Sequence, residues 1–101
     1  MTTSKVDIEI PNAREVGVTD DVLSVDLSDG RSISVPLTWY PRLLHASENE
    51  RGAWRLIGRG EGIHWEALDE DISVESLLAG RPSGESQESL KNWLDSRSAA
   101  R

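Results

Sequence analysis

Hydrophobic and polar residues alternate with a period of two along the first third of this chain, the pattern of strands that bury one face. Val6, Ile8 and Ile10 alternate with Lys5, Asp7 and Glu9, and Pro11 stops the run, which predicts an edge strand. Val16 and Val18 repeat the pattern more weakly over 14–19, with a turn at Asp20-Asp21. The clearest signal follows. Leu23, Val25 and Leu27 alternate with Ser24, Asp26 and Ser28, and beyond Asp29-Gly30, Ile33 and Val35 alternate with Ser32 and Ser34. A two-residue Asp-Gly turn would set Leu27 opposite Ser32 and divide the apolar side chains between two faces. A three-residue loop, Ser28-Asp29-Gly30, sets Val25 opposite Ile33 and Leu23 opposite Val35, which keeps one face apolar. That loop needs a left-handed residue in last place, and Gly30 takes the conformation without a Cβ clash. A type I turn with a glycine bulge is therefore expected.

After Pro36 the period changes. Thr38 is placed to cap a short helix that holds Pro41 in its first turn and pairs Trp39 with Leu43 and Tyr40 with Leu44. Ser47-Glu48-Asn49-Glu50 matches a capping box for a second short helix, ending near Ala53. Trp54 to Trp65 reads as two short strands around Gly58–Gly62. Ser73 caps a further helix in which Ile72 staples onto Leu77, and Gly80 and Pro82 stop it. Residues 81–86 form a polar hinge, and a last helix over about 86–97 carries a narrow stripe of Leu90, Trp93 and Leu94. The predicted fold is α+β: an antiparallel β-meander with short helices on one face and a C-terminal helix. Residues 1–80 make the α+β domain, with 1–13 as an edge strand or a flexible arm, and 81–101 make the hinge and helix.

Length and charge narrow the class. With 101 residues there is room for one domain. Eighteen acidic residues against eleven basic ones leave a net charge of −7, which disfavours phosphate backbones and anionic lipid surfaces as partners. The imbalance is local: Glu61, Glu66, Asp69, Glu70, Asp71 and Glu75 lie between Gly60 and Gly80 with no Lys or Arg among them. A basic protein would be drawn to such a face, although acids of this kind also simply keep small domains in solution. The absence of cysteine excludes disulfides, thiolate metal sites and cysteine nucleophiles. No apolar run is long enough for a transmembrane helix, and the first residues lack the basic and apolar regions of a secretory signal, so a cytoplasmic location is expected.

Two stretches, VDLSDGRSISVPLTWYPRL and WRLIGRGEGIHWEALDEDISVESLLAGRPSGES, make the chain resemble the bacterial family of domains of unknown function numbered 2442, over about residues 14–96. The Leu-Ser-Asp-Gly-Arg hairpin, Gly-Ile-His-Trp and Leu-Asp-Glu-Asp-Ile-Ser-Val are its specific parts. The resemblance implies a small α+β domain with a curved antiparallel sheet, short helices and no assigned enzymatic activity. It also implies one half of a two-gene module, similar to toxin–antitoxin operons. Some members add a helix-turn-helix domain; the single helix after Gly84 cannot form one.

Individual residues offer several chemistries. His64 points away from Ile63 and Trp65, and Glu66 on the same strand face would orient it as a base; the competing reading is an ordinary polar surface histidine. His45 suits a helix C-terminus. Asp69-Glu70-Asp71 lacks the frame of a calcium loop, and acids before a helix are expected from its dipole. Gly58, Gly60 and Gly62 do not form a nucleotide fingerprint and are best read as hairpin glycines. Arg51, Arg55 and Arg59 recur every four residues and form a basic patch if they converge. The leading expectation is a non-catalytic, acidic protein-binding module, antitoxin-like or regulatory, whose partner is a small basic protein encoded nearby. Its contact residues would be Glu66, Asp69, Glu70 and Asp71 with Leu90, Trp93 and Leu94. The alternative is a small regulator that meets nucleic acid through Arg51, Arg55 and Arg59. An enzyme ranks third. No catalytic, cofactor or metal residue is assigned, no membrane contact is expected, and a homodimer is compatible with the sequence.

Overall fold

The computed structural model describes residues 9–99. The fold is α+β, but its strands are divided between two antiparallel three-stranded sheets, each an up-and-down meander. The first holds β1 (Ala13–Val18), β2 (Val22–Leu27) and β3 (Ser32–Pro36). The second holds β4 (Trp54–Ile57), β5 (Gly62–Trp65) and β6 (Glu70–Ser73). The predicted strand at 5–10 falls mostly outside the described residues; Glu9 and Ile10 belong to no strand.

The β2–β3 hairpin has the expected register, with Val25 opposite Ile33 and Leu23 opposite Val35. Gly30 N–H donates to the Leu27 carbonyl at 3.1 Å and Leu27 N–H to the Arg31 carbonyl at 2.8 Å, which closes a type I turn with a bulge at Gly30, φ +93°. Leu23, Val25 and Leu27 are buried, while Asp26, Ser32 and Ser34 face water. On that wet face the Ser32 hydroxyl donates to Asp26 at 2.7 Å. The β1–β2 turn is held by Thr19, whose Oγ1 accepts from the Asp21 and Val22 amides at 3.2 and 3.0 Å. In β1 the register shifts between Ala13 and Glu15. The bulge brings odd-numbered Ala13 onto the buried side that even-numbered Val16 and Val18 occupy. Simple alternation does not predict that step.

The helices are short. Pro36 is followed by a 3-10 turn, Leu37–Trp39, and only then by α1 (Pro41–Leu44). Thr38 is therefore not the helix cap; Tyr40 takes that place without a side-chain bond, and Pro41 sits at the first helical position. The physical reason is burial: Leu37 and Tyr40 are both pulled into the core, which tightens the chain between them. Leu43 is buried but Leu44 is exposed, so the Tyr40–Leu44 pair does not form a buried contact. α2 (Glu48–Gly52) begins with the full capping box, Ser47 Oγ accepting from Glu50 N–H at 3.1 Å and Glu50 accepting from Ser47 N–H at 2.9 Å. α3 (Val74–Ala79) starts from the Ser73 cap and ends at Gly80, φ +71°. There the Gly80 and Arg81 amides return to the Leu77 and Ser76 carbonyls, a Schellman ending. α4 spans Gln87–Ala99, and Ser86 caps it by accepting from Ser89 N–H at 3.0 Å.

One hydrophobic cluster joins both sheets: Leu23, Val25, Val35, Leu37 and Leu43 from the first half, Ile63, Trp65, Leu68, Ile72, Val74 and Leu77 from the second. Trp65 is fully buried, and its indole N–H donates to the Arg51 carbonyl at 3.0 Å, so the largest core residue leaves no polar atom unsatisfied. The sheets meet where β1 begins. Gly60, φ +91°, ends the 3-10 turn Gly58–Gly60, and a Cβ there would lie 2.7 Å from the Ala13 carbonyl oxygen. Among the described residues no helix is long and apolar enough to cross a membrane.

Candidate functional site

The acidic stretch is organised by β6, an element the sequence reading takes only as the approach to a helix. In β6 Trp65 faces Glu70, Ile63 faces Ile72, and His64 faces Asp71. Paired residues share a face of the sheet, so Glu70 lies on the core side with Trp65, and Asp71 lies on the outer side with His64. The three acids Asp69-Glu70-Asp71 therefore do not form one rim. Glu70 is half-buried, and burial pushes its carboxyl up to about 7, Arg42 opposing the rise and Glu85, Asp71 and Asp69 adding to it. Glu70 is thus withdrawn from the exposed contact set; Glu66, Asp69 and Asp71 remain on the surface. Asp69 itself is left-handed, φ +51°, where the 3-10 turn Glu66–Leu68 gives way to β6.

Arg55, His64 and Asp71 stand in one row across the outer face of β4, β5 and β6. His64 Nδ1 bonds to Asp71, and Nε2 bonds to Glu66 at 2.9 Å. Arg55 adds a 3.6 Å ion pair to Glu66. A ring that meets a carboxylate at each nitrogen donates from both, which is the imidazolium form. The hydrogen bond to Asp71, then that to Glu66, accordingly raises the His64 pKa, and His64 and Arg55 lower that of Glu66. Glu66 does reach His64, as the strand alternation implies. The partner that alternation does not reveal is Asp71, because it comes from β6. Held as a cation between two anions, His64 clamps β5 to β6.

The three arginines do not converge as free cations. Arg51 turns back along the chain: Nε and Nη2 donate to the Leu43 and Leu44 carbonyls, each at 3.0 Å, and Nη1 meets Asp20 at 2.8 Å. Its guanidinium closes the C-terminal end of α1, and the side chain as a whole is 11% exposed. Arg55 belongs to the His64 row. Arg59 is exposed in the 3-10 turn, with φ +62°.

Leu90, Trp93 and Leu94 are all half-buried on α4, and Trp93 packs against the core cluster. Two guanidinium groups lie over the Trp93 ring, that of Arg42 5.1 Å and that of Arg97 4.5 Å from its centroid. Arg42 donates to Glu85 at 2.7–3.0 Å and to the Leu68 carbonyl at 2.9 Å. Arg97 donates to Glu50 at 2.8 and 3.1 Å. Ser83 N–H donates to the Trp39 carbonyl at 3.0 Å. The segment 81–86 therefore carries direct bonds to the body. Each arginine holds its carboxylate below the usual range.

Sequence reasoning also left two acids out of the contact set. Glu61 and Glu75, both exposed, line an open cleft of about 500 Å³ together with Ser73 and Ile10, which is 46% exposed. They lie at opposite ends of the base-free stretch, and the Val74 N–H to Glu61 carbonyl bond of 2.9 Å brings those ends together.

A family model described as protein of unknown function (DUF2442) matches residues 13–83. The chain belongs to that family. The DUF2442 match covers both sheets and α1 to α3 and stops before Glu85 and α4. A crystal structure of a protein of unknown function from Rhodospirillum rubrum is similar, with 31% identity over 74% of this chain and 93% of that one and a TM-score of 0.63. The solution structure of an uncharacterised protein from Chromobacterium violaceum shares the fold, with 23% identity over 72% of this chain and 69% of that one and a TM-score of 0.62. No curated protein matches the chain.

Proposed function

We propose that this DUF2442 chain is a non-catalytic, acidic protein-binding module whose partner is a small basic protein, in an antitoxin-like or regulatory pairing of the kind the family resemblance implies. The observation that carries the reading is the cleft of Glu61, Ser73, Glu75 and Ile10. It sets two exposed carboxylates from different elements around an open depression with an apolar wall. A lysine or arginine side chain fits such a site, its charged end toward the acids and its stem against Ile10. Glu66, Asp69 and Asp71 extend the negative surface beyond the cleft. The nucleic-acid alternative has less support, because Arg51 is committed to α1 and Asp20 and only Arg55 and Arg59 are left of its patch.

The test is co-purification with the product of the adjacent gene, followed by stopped-flow association at several salt concentrations. The expected result is a salt-sensitive association rate that falls about tenfold in Glu61→Lys/Glu75→Lys. Capture of RNA or DNA, lost in Arg55→Glu and retained in the acidic variant, would favour the alternative.

A further inference from the structure

The body meets α4 with one charge of each sign. Arg42 of α1 binds Glu85, two residues before α4 begins, and Glu50 of α2 binds Arg97 in its last turn. The first pair is well covered, its side chains 16% and 9% exposed. Between the two anchors Trp93 packs against the core cluster, with both guanidinium groups over its ring. Arg97 follows Trp93 by four residues, so both lie on one face of the helix.

These charges also set a direction. Glu85 at the start of α4 and Arg97 at its end suit the helix dipole. Arg42 and Glu50 would each oppose that dipole without those partners. A helix laid the other way would set arginine against Arg42 and glutamate against Glu50, and leave covered charges unpaired.

The helix depends on the face more than the body depends on the helix. None of residues 81–98 is fully buried, and the family match ends at residue 83. A helix of 13 residues is marginal on its own in water, so α4 takes its order from these contacts. We propose that the Arg42–Glu50 face is a helix-docking surface, filled in cis by α4 and open to a partner helix with the same order of groups. That order is an acid just before the first turn, a tryptophan eight positions on and an arginine one turn later. The partner displaces α4, which acts as a built-in competitor. This face shares no residue with the cleft of Glu61, Ser73, Glu75 and Ile10.

A fluorescent peptide of residues 83–99, added to the full chain, tests the surface by anisotropy. Wild type is expected to bind it weakly, because α4 holds the face. The full chain carrying Glu85→Gln and Arg97→Gln loosens its own α4 and should bind the same peptide about tenfold more tightly. A peptide carrying Glu85→Arg and Arg97→Glu should bind that variant at least about tenfold more weakly than the native peptide does. Hydrogen exchange on β2 and β3 reports that the variant is folded, and exchange of its own α4 should quicken when the native peptide binds. No tighter binding by the folded variant overturns the proposal. So does a charge-reversed peptide that binds as well as the native one, or bound peptide that leaves the chain's own α4 protected.

Discussion

Gly60 and Gly30 have almost the same positive φ, +91° and +93°, in different surroundings. A Cβ on Gly30 meets nothing within 4 Å, whereas a Cβ on Gly60 lies 2.7 Å from the Ala13 carbonyl oxygen and 3.0 Å from the Asn12 Cβ. Placing alanine in this backbone region costs about 1–2 kcal/mol, offset by about 0.4–1 kcal/mol because alanine restricts the unfolded chain. Gly30→Ala should therefore lose about 1 kcal/mol. Gly60→Ala bears the same strain and must also push β1 away from the second sheet, an overpacking cost of about 1–3 kcal/mol. Its total is about 2–4 kcal/mol. In a domain of this size about 1 kcal/mol moves the melting temperature by roughly 4–8 °C, so the two variants separate clearly. Urea unfolding followed by tryptophan fluorescence measures both. Equal losses would refute the reasoning, since they would mean that the seam between the sheets yields freely and that only backbone strain was being measured.

His64 should titrate above its ordinary value in a proton NMR experiment, and Asp71→Asn should bring the midpoint down, because the Asp71 hydrogen bond is the main cause of the rise. The stability this pair contributes is present below the ordinary histidine value and lost as the pH rises through the raised one; a midpoint unchanged in Asp71→Asn would dismiss the clamp. Ser47→Ala removes one arm of the capping box and should cost about 1 kcal/mol in thermal unfolding. Calorimetric titration with calcium or magnesium should show no saturating site, since Glu70 and Asp71 project to opposite faces of β6.

The β2–β3 hairpin was legible to the residue because parity leaves one loop length that keeps Leu23, Val25, Ile33 and Val35 together. The caps at Ser47 and Ser73 were legible because capping is local chemistry written in four residues. β6 was not, because two of its four residues are acids and only Ile72 supplies an apolar signal. Missing β6 hid the inward turn of Glu70 and the Asp71 partner of His64. Arg51 misled in another way: a spacing of four suggests a shared helix face, but Arg51 lies in α2 and Arg55 in β4, where the period is two. The roles of Arg42 and Glu85 depend on a pairing across 43 positions, which no local pattern announces.

Among the described residues each of the six strands pairs only with its neighbours in sequence. The chain can therefore zip up two meanders independently through short loop closures, which favours a fast search. What remains is the mating of the two sheets around Trp65 and along the Ala13–Gly60 seam. Neither meander buries its apolar face until the other arrives, so that late collision is where cooperativity enters. A nascent chain that has emerged only as far as β3 exposes Leu23, Val25 and Val35 while it waits. The serines and aspartates on the other face of the hairpin then give the half-made protein its protection against aggregation.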